Sequence, residues 1–313
     1  MQLDELKKLL QPESLKAFFQ PENLKSVFNT LFLDIKYQLI IRDRLKQLPI
    51  IQEIERIQKN KRYDDPKCLM RFGDKVFSQS DEDGIIREIF NRIGISNKTF
   101  IEFGIGNGLE NNSLALLFEG WQGLWIDAST SSINKIKTNF AKVIENGQLT
   151  VIESFITKEN INQLIAANFK PEEVDLLSVD IDGNDYHVLN AIACVNPRVI
   201  VIEYNAKFSP PMMFCMDYNP EHFWQKDDCF GMSLKFIEVN LAQKGYCLVG
   251  CNISGVNAFF VRQDLVSDQF LEPFTAEKHY EPARYYLSGY FAGHPSSYQT
   301  LVKSFTMRSP DYE

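Results

Sequence analysis

Histidine, tryptophan and positive charge are scarce in this sequence, and it has no uninterrupted apolar run long enough to cross a bilayer. The 313 residues include four histidines, three tryptophans, and 33 lysines and arginines against 41 aspartates and glutamates, a formal net charge of −8. That acid surplus argues against nucleic acid as a partner. The most apolar early stretch, residues 31–41, is broken by Asp34 and Lys36, so no membrane span is expected. The opening MQLDELKKLL lacks the apolar centre of a secretory leader, and the protein is expected in the cytoplasm. Cys68, Cys194, Cys215, Cys229, Cys247 and Cys251 form no C-x-x-C pair, which fits reduced thiols better than disulfides or zinc. No lysine follows the glycines as in a triphosphate loop, and no G-x-S-x-G elbow occurs, which argues against both of those chemistries.

What the sequence does have is an ordinary globular composition, 44% hydrophobic and 24% charged, enough for a sizeable core. Residues 1–75 read as an N-terminal helical extension. It holds a near-repeat, QPESLKAFF then QPENLKSVF, with Pro12 and Pro21 at helix-opening positions. Leu24, Phe28, Leu31, Ile35 and Leu39 line one helical face. Packing against the rest of the chain and a homo-oligomer interface are equally open uses for it. Residues 61–73 read as a linker, and Ser80 with Asp83 as a capping-box start for the helix that follows.

From there, strand and helix patterns alternate through residues 76–265, with strands at TFIEF, GLWID, LTVIE, VDLLSVD, RVIVIE, YCLVGC and NAFFVR. This predicts an α/β fold: a Rossmann-like, doubly wound, mostly parallel seven-stranded sheet with an antiparallel edge strand. Residues 206–230 form an insertion suited to a lid, and 266–313 a C-terminal tail expected near the pocket.

An open parallel sheet binds ligands at the carboxyl ends of its strands. The turn IEFGIGNG, with Gly104, Gly106 and Gly108 behind Glu102, falls there. A dinucleotide fingerprint would require a glycine at Leu109, which disfavours an NAD-dependent oxidoreductase. Glu102 would repel phosphate and suits a cationic amino-acid ligand. Asp127 ends the second strand, where an acid can accept both ribose hydroxyls. Ser154 and Phe155 end the third, where backbone and an aromatic wall can hold adenine.

These residues resemble class I S-adenosylmethionine-dependent methyltransferases. SQSDEDGII, IEFGIGNG, WIDAS, DLLSVDIDGNDYHVL and VIVIEYN together resemble the FkbM-like branch. The resemblance spans roughly residues 76–265. It implies S-adenosylmethionine as cofactor and O-methylation of sugars, polyketides or surface polysaccharides. It assigns Glu102, Gly104, Gly106 and Gly108 to the methionine and ribose end, Asp127 with Ala128 to the ribose, and Ser154 with Phe155 to the adenine edge. Gln79 can approach the methionine part from the preceding turn or serve as a plain cap, and in one reading Asp180 sits by the cofactor amine and reactive methyl. Two departures stand out: the fourth strand ends D-I-D-G where the branch often has D-x-E-G, and the first motif is longer than D-V-G-A-N.

Asp180 and Asp182, two apart on one strand, share a face, and Glu203 and Asn205 repeat that spacing on the next. If the strands are neighbours, four oxygen-bearing side chains converge. Asp182 or Glu203 can then serve as general base, or Asp180, Asp182 and Glu203 can hold Mg²⁺ or Ca²⁺. Asp182 could instead cap the next helix. His222, inside the insertion, is a further candidate base. Tyr218, Phe223, Trp224 and Phe208 can stack on a sugar or form the lid's own core. The expected partner is a small-molecule or carbohydrate acceptor. A scaffold that binds cofactor without turnover is the non-enzyme alternative.

Overall fold

The computed structural model of the chain describes residues 48–170 and 173–288. Two compact units meet in sequence at Glu55 and Arg56. Of the first, residues 48–55 are described, and they are helical. The near-repeat, the stripe from Leu24 to Leu39 and His294 lie outside the described residues.

The second unit holds one seven-stranded sheet in the order β3-β2-β1-β4-β5-β7-β6. Its strands are β1 (Thr99–Phe103), β2 (Gln122–Asp127), β3 (Leu149–Glu153), β4 (Glu173–Val179), β5 (Asn196–Glu203), β6 (Tyr246–Cys251) and β7 (Asn257–Arg262). The first five pair in parallel. β7 runs antiparallel to both β5 and β6. The reversed strand expected at this edge is therefore β7, with β6 outside it. The short turn between them allows only an antiparallel pairing.

Neighbouring strand residues enter opposite cores, as the two-residue period requires. Ile101, Leu177, Ile200 and Phe260 face one core, with α5 (Ile161–Asn168), α6 (Asp185–Ala191) and α7 (Leu234–Gln243). Phe100, Leu176, Val201 and Phe259 face the other, with α1 (Glu82–Ile93), α2 (Leu114–Phe118) and α3 (Thr130–Asn139). Each such side chain, once buried, contributes about 1.5–3 kcal/mol. The connections leave β1 and β4 in opposite directions along the sheet, so the switch point opens between their carboxyl ends.

Three local details depart from the sequence pattern. The helical pattern over residues 132–147 is divided between two helices, α3 and α4 (Ala141–Glu145). They part at Phe140, whose φ of −110° leaves the helical region and whose ring sits edge-on to Trp125 at 5.2 Å. The capping box at Ser80 and Asp83 does not form. Instead Ser78 Oγ accepts the Asp83 N–H, and Asp83 accepts N–H groups from Val76, Phe77 and Ser78 at 2.6–2.8 Å. Residues 61–73 are packed rather than free, with Tyr63, Leu69 and Met70 buried. Tyr63 donates its hydroxyl to the buried carboxylate of Glu281.

Residues beyond β7 are fastened to the carboxyl end of the sheet. Tyr204 donates to the Glu281 carbonyl, Tyr280 to the Ala206 carbonyl, and the Arg284 N–H to the Ser254 carbonyl, all within 2.7 Å.

Candidate active site

The glycine turn is built around two contacts. Gly104 has a φ of +71°, and a methyl on it would lie 1.5 Å from the Asp180 carbonyl oxygen. Only glycine lets β1 and the end of β4 come this close. Gly106, at φ +52°, has nothing within 4 Å of where a side chain would start. Its N–H donates to Asp127 Oδ2 at 2.8 Å, while Asp127 Oδ1 accepts from the Ser129 N–H at 2.7 Å. Asp127 therefore pins the turn to the end of β2. A carboxylate has about four acceptor positions, so two bonds leave room for hydroxyls. Gly108 closes the turn with a 2.9 Å bond to the Ile105 carbonyl.

Glu102 is engaged by the chain itself. Its carboxylate is buried and accepts from the Asn111 amide, the N–H groups of Asn112 and Ser113, and the Ser113 hydroxyl. The Ser113 oxygen in turn accepts from the Trp125 indole at 2.7 Å. Burial raises the Glu102 pKa, and these donors pull it back. The acid ties β1 to the start of α2.

Asp180, Asp182 and Glu203 do come together. One carboxylate oxygen from each lies within 4.8 Å of the others. Burial, followed by the charges of Asp182, Asp185, Glu102 and Glu82, holds Asp180 well above the usual carboxylate range. Burial and then the charge of Asp180 do the same to Glu203. Asp182 is also raised by burial, while His222 pulls it down. Its φ of +55° places it in the left-handed region, at a cost of about 1–2 kcal/mol for a residue with a side chain. Asp182 does not cap α6. The N-cap is Asn184, and Asp185, the first residue of α6, accepts the Ile181 and Gly183 N–H groups of the preceding turn at 2.7 and 2.8 Å, while burial lifts its pKa to about 6. Asn205 is not the fourth member of the cluster. Its amide donates to the Asp228 and Phe230 carbonyls and fixes the returning end of the insertion.

The insertion brings His222 to the cluster. A methyl on Gly183 would lie 2.2 Å from His222 Cδ2, so the ring rests directly on the glycine. His222 Nε2 is buried and has no hydrogen-bond partner among the described residues. Asn184 holds this part of the insertion by donating to the Asn219 carbonyl at 2.7 Å. His187 is structural, with its Nε2 2.8 Å from the Met216 carbonyl.

The remaining sequence candidates scatter. Gln79 is exposed, and its carbonyl accepts from Lys75. Ala128 is exposed. Ser154 bonds through its N–H to the Asp127 carbonyl, and its hydroxyl turns to the Phe155 carbonyl. Phe155 and Phe223 are in tilted contact, with ring centres 5.4 Å apart. Phe208 is buried against Phe214, Trp224 packs edge-on to Phe230, and Tyr218 donates to Glu159. Three of the four insertion aromatics thus serve the fold.

Sequence reasoning missed Glu82, Gly183 and Tyr285. Glu82 is fully buried, accepts from Asn252 and Asn257, and contributes to the Asp180 shift. Three consecutive acids opening an apolar helix were the available signal. Tyr285 feels the Glu203 charge, which with burial raises its pKa; nothing local in the sequence links the two.

A glycine turn at the switch point, an acid at the end of β2 and an acid cluster after β4 and β5 gather at the carboxyl ends of the parallel strands of a Rossmann-like sheet. The chain belongs to the FkbM methyltransferase domain family of S-adenosylmethionine-dependent enzymes, whose family model matches residues 85–246. No curated protein matches it. Among solved structures, it is similar to M. capricolum TrmK in complex with S-adenosyl-homocysteine, at 12% identity, 72% of this chain, 88% of that one and a TM-score of 0.38. It is also similar to an O-methyltransferase from Bacillus cereus in complex with SAH, at 14% identity, 69% and 88% coverage and a TM-score of 0.37. The methyltransferase domain of bacterial CtHen1-C follows, at 16% identity, 57% and 97% coverage and a TM-score of 0.37. Overlap this low says nothing of substrate. Among the described residues, no helix is long and apolar enough to cross a membrane.

Proposed function

We propose that the chain is an O-methyltransferase that uses S-adenosylmethionine to methylate a hydroxyl of a sugar, on a nucleotide-linked precursor or a polysaccharide. The observation that carries this reading is the buried, unpartnered Nε2 of His222, set on Gly183 beside Asp182. A buried polar atom left without a partner costs about 1–3 kcal/mol. An acceptor hydroxyl donating to Nε2 removes that cost and places its proton on a base.

The residues also fit the cofactor. Space is open at Gly106, Asp127 retains acceptor capacity, and the carboxylates of Asp180, Asp182 and Glu203 lie within 4.8 Å of one another and repel. A cationic ligand relieves that repulsion. Gly106 and Asp127 would hold the ribose end, and Asp180 the methionine amine. When bound, the cofactor supplies a methyl group already activated on a sulfonium. The protein has to align the acceptor oxygen and remove its proton. His222 accepts that proton at Nε2, and Asp182 stabilises the resulting imidazolium. Raised carboxylates nearby can accept hydrogen bonds from a second sugar hydroxyl or, when protonated, donate to it.

The same three carboxylates, among the described residues, could hold Mg²⁺ or Ca²⁺, so metal is the second reading. Residues 1–75 as an assembly element, and the tail as one wall of the acceptor pocket through Tyr285, belong to this proposal as well. Calorimetry with S-adenosylhomocysteine tests the cofactor, with NAD as control. Acceptor screening with and without Mg²⁺, on wild type and His222→Gln, tests the base. We expect S-adenosylhomocysteine to bind and NAD not to. We expect kcat to fall about 10²–10⁴-fold in His222→Gln. Turnover unaffected by that substitution would remove His222 from the reaction.

A further inference from the structure

His222 and Phe223 are adjacent in the chain but touch different walls of the site. His222 rests on Gly183, beside the acid cluster. Phe223 packs at a tilt against Phe155 at the end of β3, the edge at which adenine is expected. These two rings are an odd pair to leave in water: Phe223 is 70% exposed and Phe155 37%. Their centres are 5.4 Å apart with the planes tilted by 49°. A planar base between two rings needs two stacking distances, so nothing can enter while the pair stays as it is.

The segment carrying them is short and pinned at both ends. The His222 N–H donates to the Asn219 carbonyl, and Asn219 is held by Asn184. On the other side, the Trp224 indole donates to the Asp227 carbonyl at 3.0 Å. Residues 220–226 therefore move as one turn, and a displacement of Phe223 reaches His222 through a single peptide.

We propose that Phe223 is a positioning residue that closes over the adenine of the cofactor together with Phe155, so that cofactor binding is transmitted through one peptide to His222 at its seat on Gly183. The inference rests on the S-adenosylmethionine reading above. It gives the insertion a second task, reading the cofactor as well as the acceptor. Occupancy of the adenine edge exchanges the Phe155–Phe223 contact for contacts of each ring with the base, the kind of stacking by which aromatic side chains bind bases of any sequence.

Trp224 provides the reporter, since the other two tryptophans, Trp121 and Trp125, are fully buried in the opposite core from α5–α7. The full chain is titrated with S-adenosylhomocysteine and, separately, with 5′-methylthioadenosine, which keeps the adenine and lacks the amino acid. Heat and tryptophan fluorescence are recorded together. We expect both ligands to change the fluorescence with the same midpoint as the heat, and Trp224→Phe to abolish the optical signal while keeping the heat. Phe223→Ala should weaken S-adenosylhomocysteine about tenfold, and Phe223→Tyr should restore it. The ring-proton resonance of His222, assigned with His222→Gln, should shift on ligand binding in wild type but not in Phe223→Ala. Normal heat with silent Trp224, or wild-type affinity in Phe223→Ala, overturns the coupling and leaves the cofactor reading intact. Absence of any heat in wild type overturns both.

Discussion

Gly104 and Gly106 both have positive φ, +71° and +52°, yet their surroundings differ, and alanine at each should fail in a different way. In either variant the left-handed backbone costs about 1–2 kcal/mol once a side chain is present. At Gly106 nothing more is added, because the new methyl meets open space. At Gly104 the methyl falls 1.5 Å from a backbone oxygen, that of Asp180. Backbone cannot rotate away as a flexible side chain can, so the end of β4 has to shift. Overpacking of this kind adds about 1–3 kcal/mol. The totals are about 2–5 kcal/mol for Gly104→Ala and about 1–2 for Gly106→Ala. For a unit of this size, each kcal/mol lowers the melting temperature by about 2–4 °C. Thermal unfolding followed by circular dichroism should show Gly104→Ala melting about 4–20 °C below wild type and Gly106→Ala about 2–8 °C below, with Gly104→Ala the lower of the two. Calorimetry should rank them the other way relative to stability: Gly106→Ala, nearly as stable as wild type, loses S-adenosylhomocysteine binding because its methyl fills the space the ligand needs. Two variants that melt within about 2 °C of each other, or a Gly106→Ala that binds normally, would refute the reasoning on the glycine turn.

Two other acids yield tests independent of an acceptor. Burial, with the neighbouring charge of Glu82, lifts Asp81 to about 8. The folded protein therefore keeps this proton where the unfolded chain has lost it. Stability from this group is fully present below the ordinary carboxylate range and is lost as pH rises toward about 8, with a slope of at most about 1.4 kcal/mol per pH unit. Urea midpoints at three pH values across that window should fall in wild type and flatten in Asp81→Asn; parallel slopes would count against it. Glu102→Gln places an amide N–H₂ against donors at Asn111, Asn112 and Ser113 and should cost about 2–4 kcal/mol. If Glu102 serves the fold, the variant melts lower but binds S-adenosylhomocysteine when folded. Normal stability with lost binding would return Glu102 to the ligand site.

The sheet was legible because its signal is local and repeated. Each strand is a short apolar run followed by a turn or a helix pattern, and the order of strands follows from the rules of parallel connection. The glycine turn was legible for the same reason, and Asp127 because it ends the neighbouring strand. The roles of Glu102 and Asn205 were not. Each lies at a strand end where an acceptor or amide suits a ligand, and only the fold shows that residues 111–113 and 228–230 reach them first. The same limit applied to His222. A histidine in a long insertion has no periodicity to place it, and its seat on Gly183 depends on Asn184 holding Asn219, 35 residues away. Phe208, Tyr218 and Trp224 showed no sequence difference from Phe223, although only Phe223 stands in the open at 70% exposure.

The two ends of the insertion leave and re-enter the sheet at almost the same point. The Asn205 N–H donates to the Met232 carbonyl at 2.8 Å, and the Asn205 side chain clasps the Asp228 and Phe230 carbonyls. A loop closed at its neck in this way is a cassette. Its length and sequence can change between the clasp points while β5 keeps its course, so, on the function proposed above, the acceptor side can be altered without rebuilding the sheet.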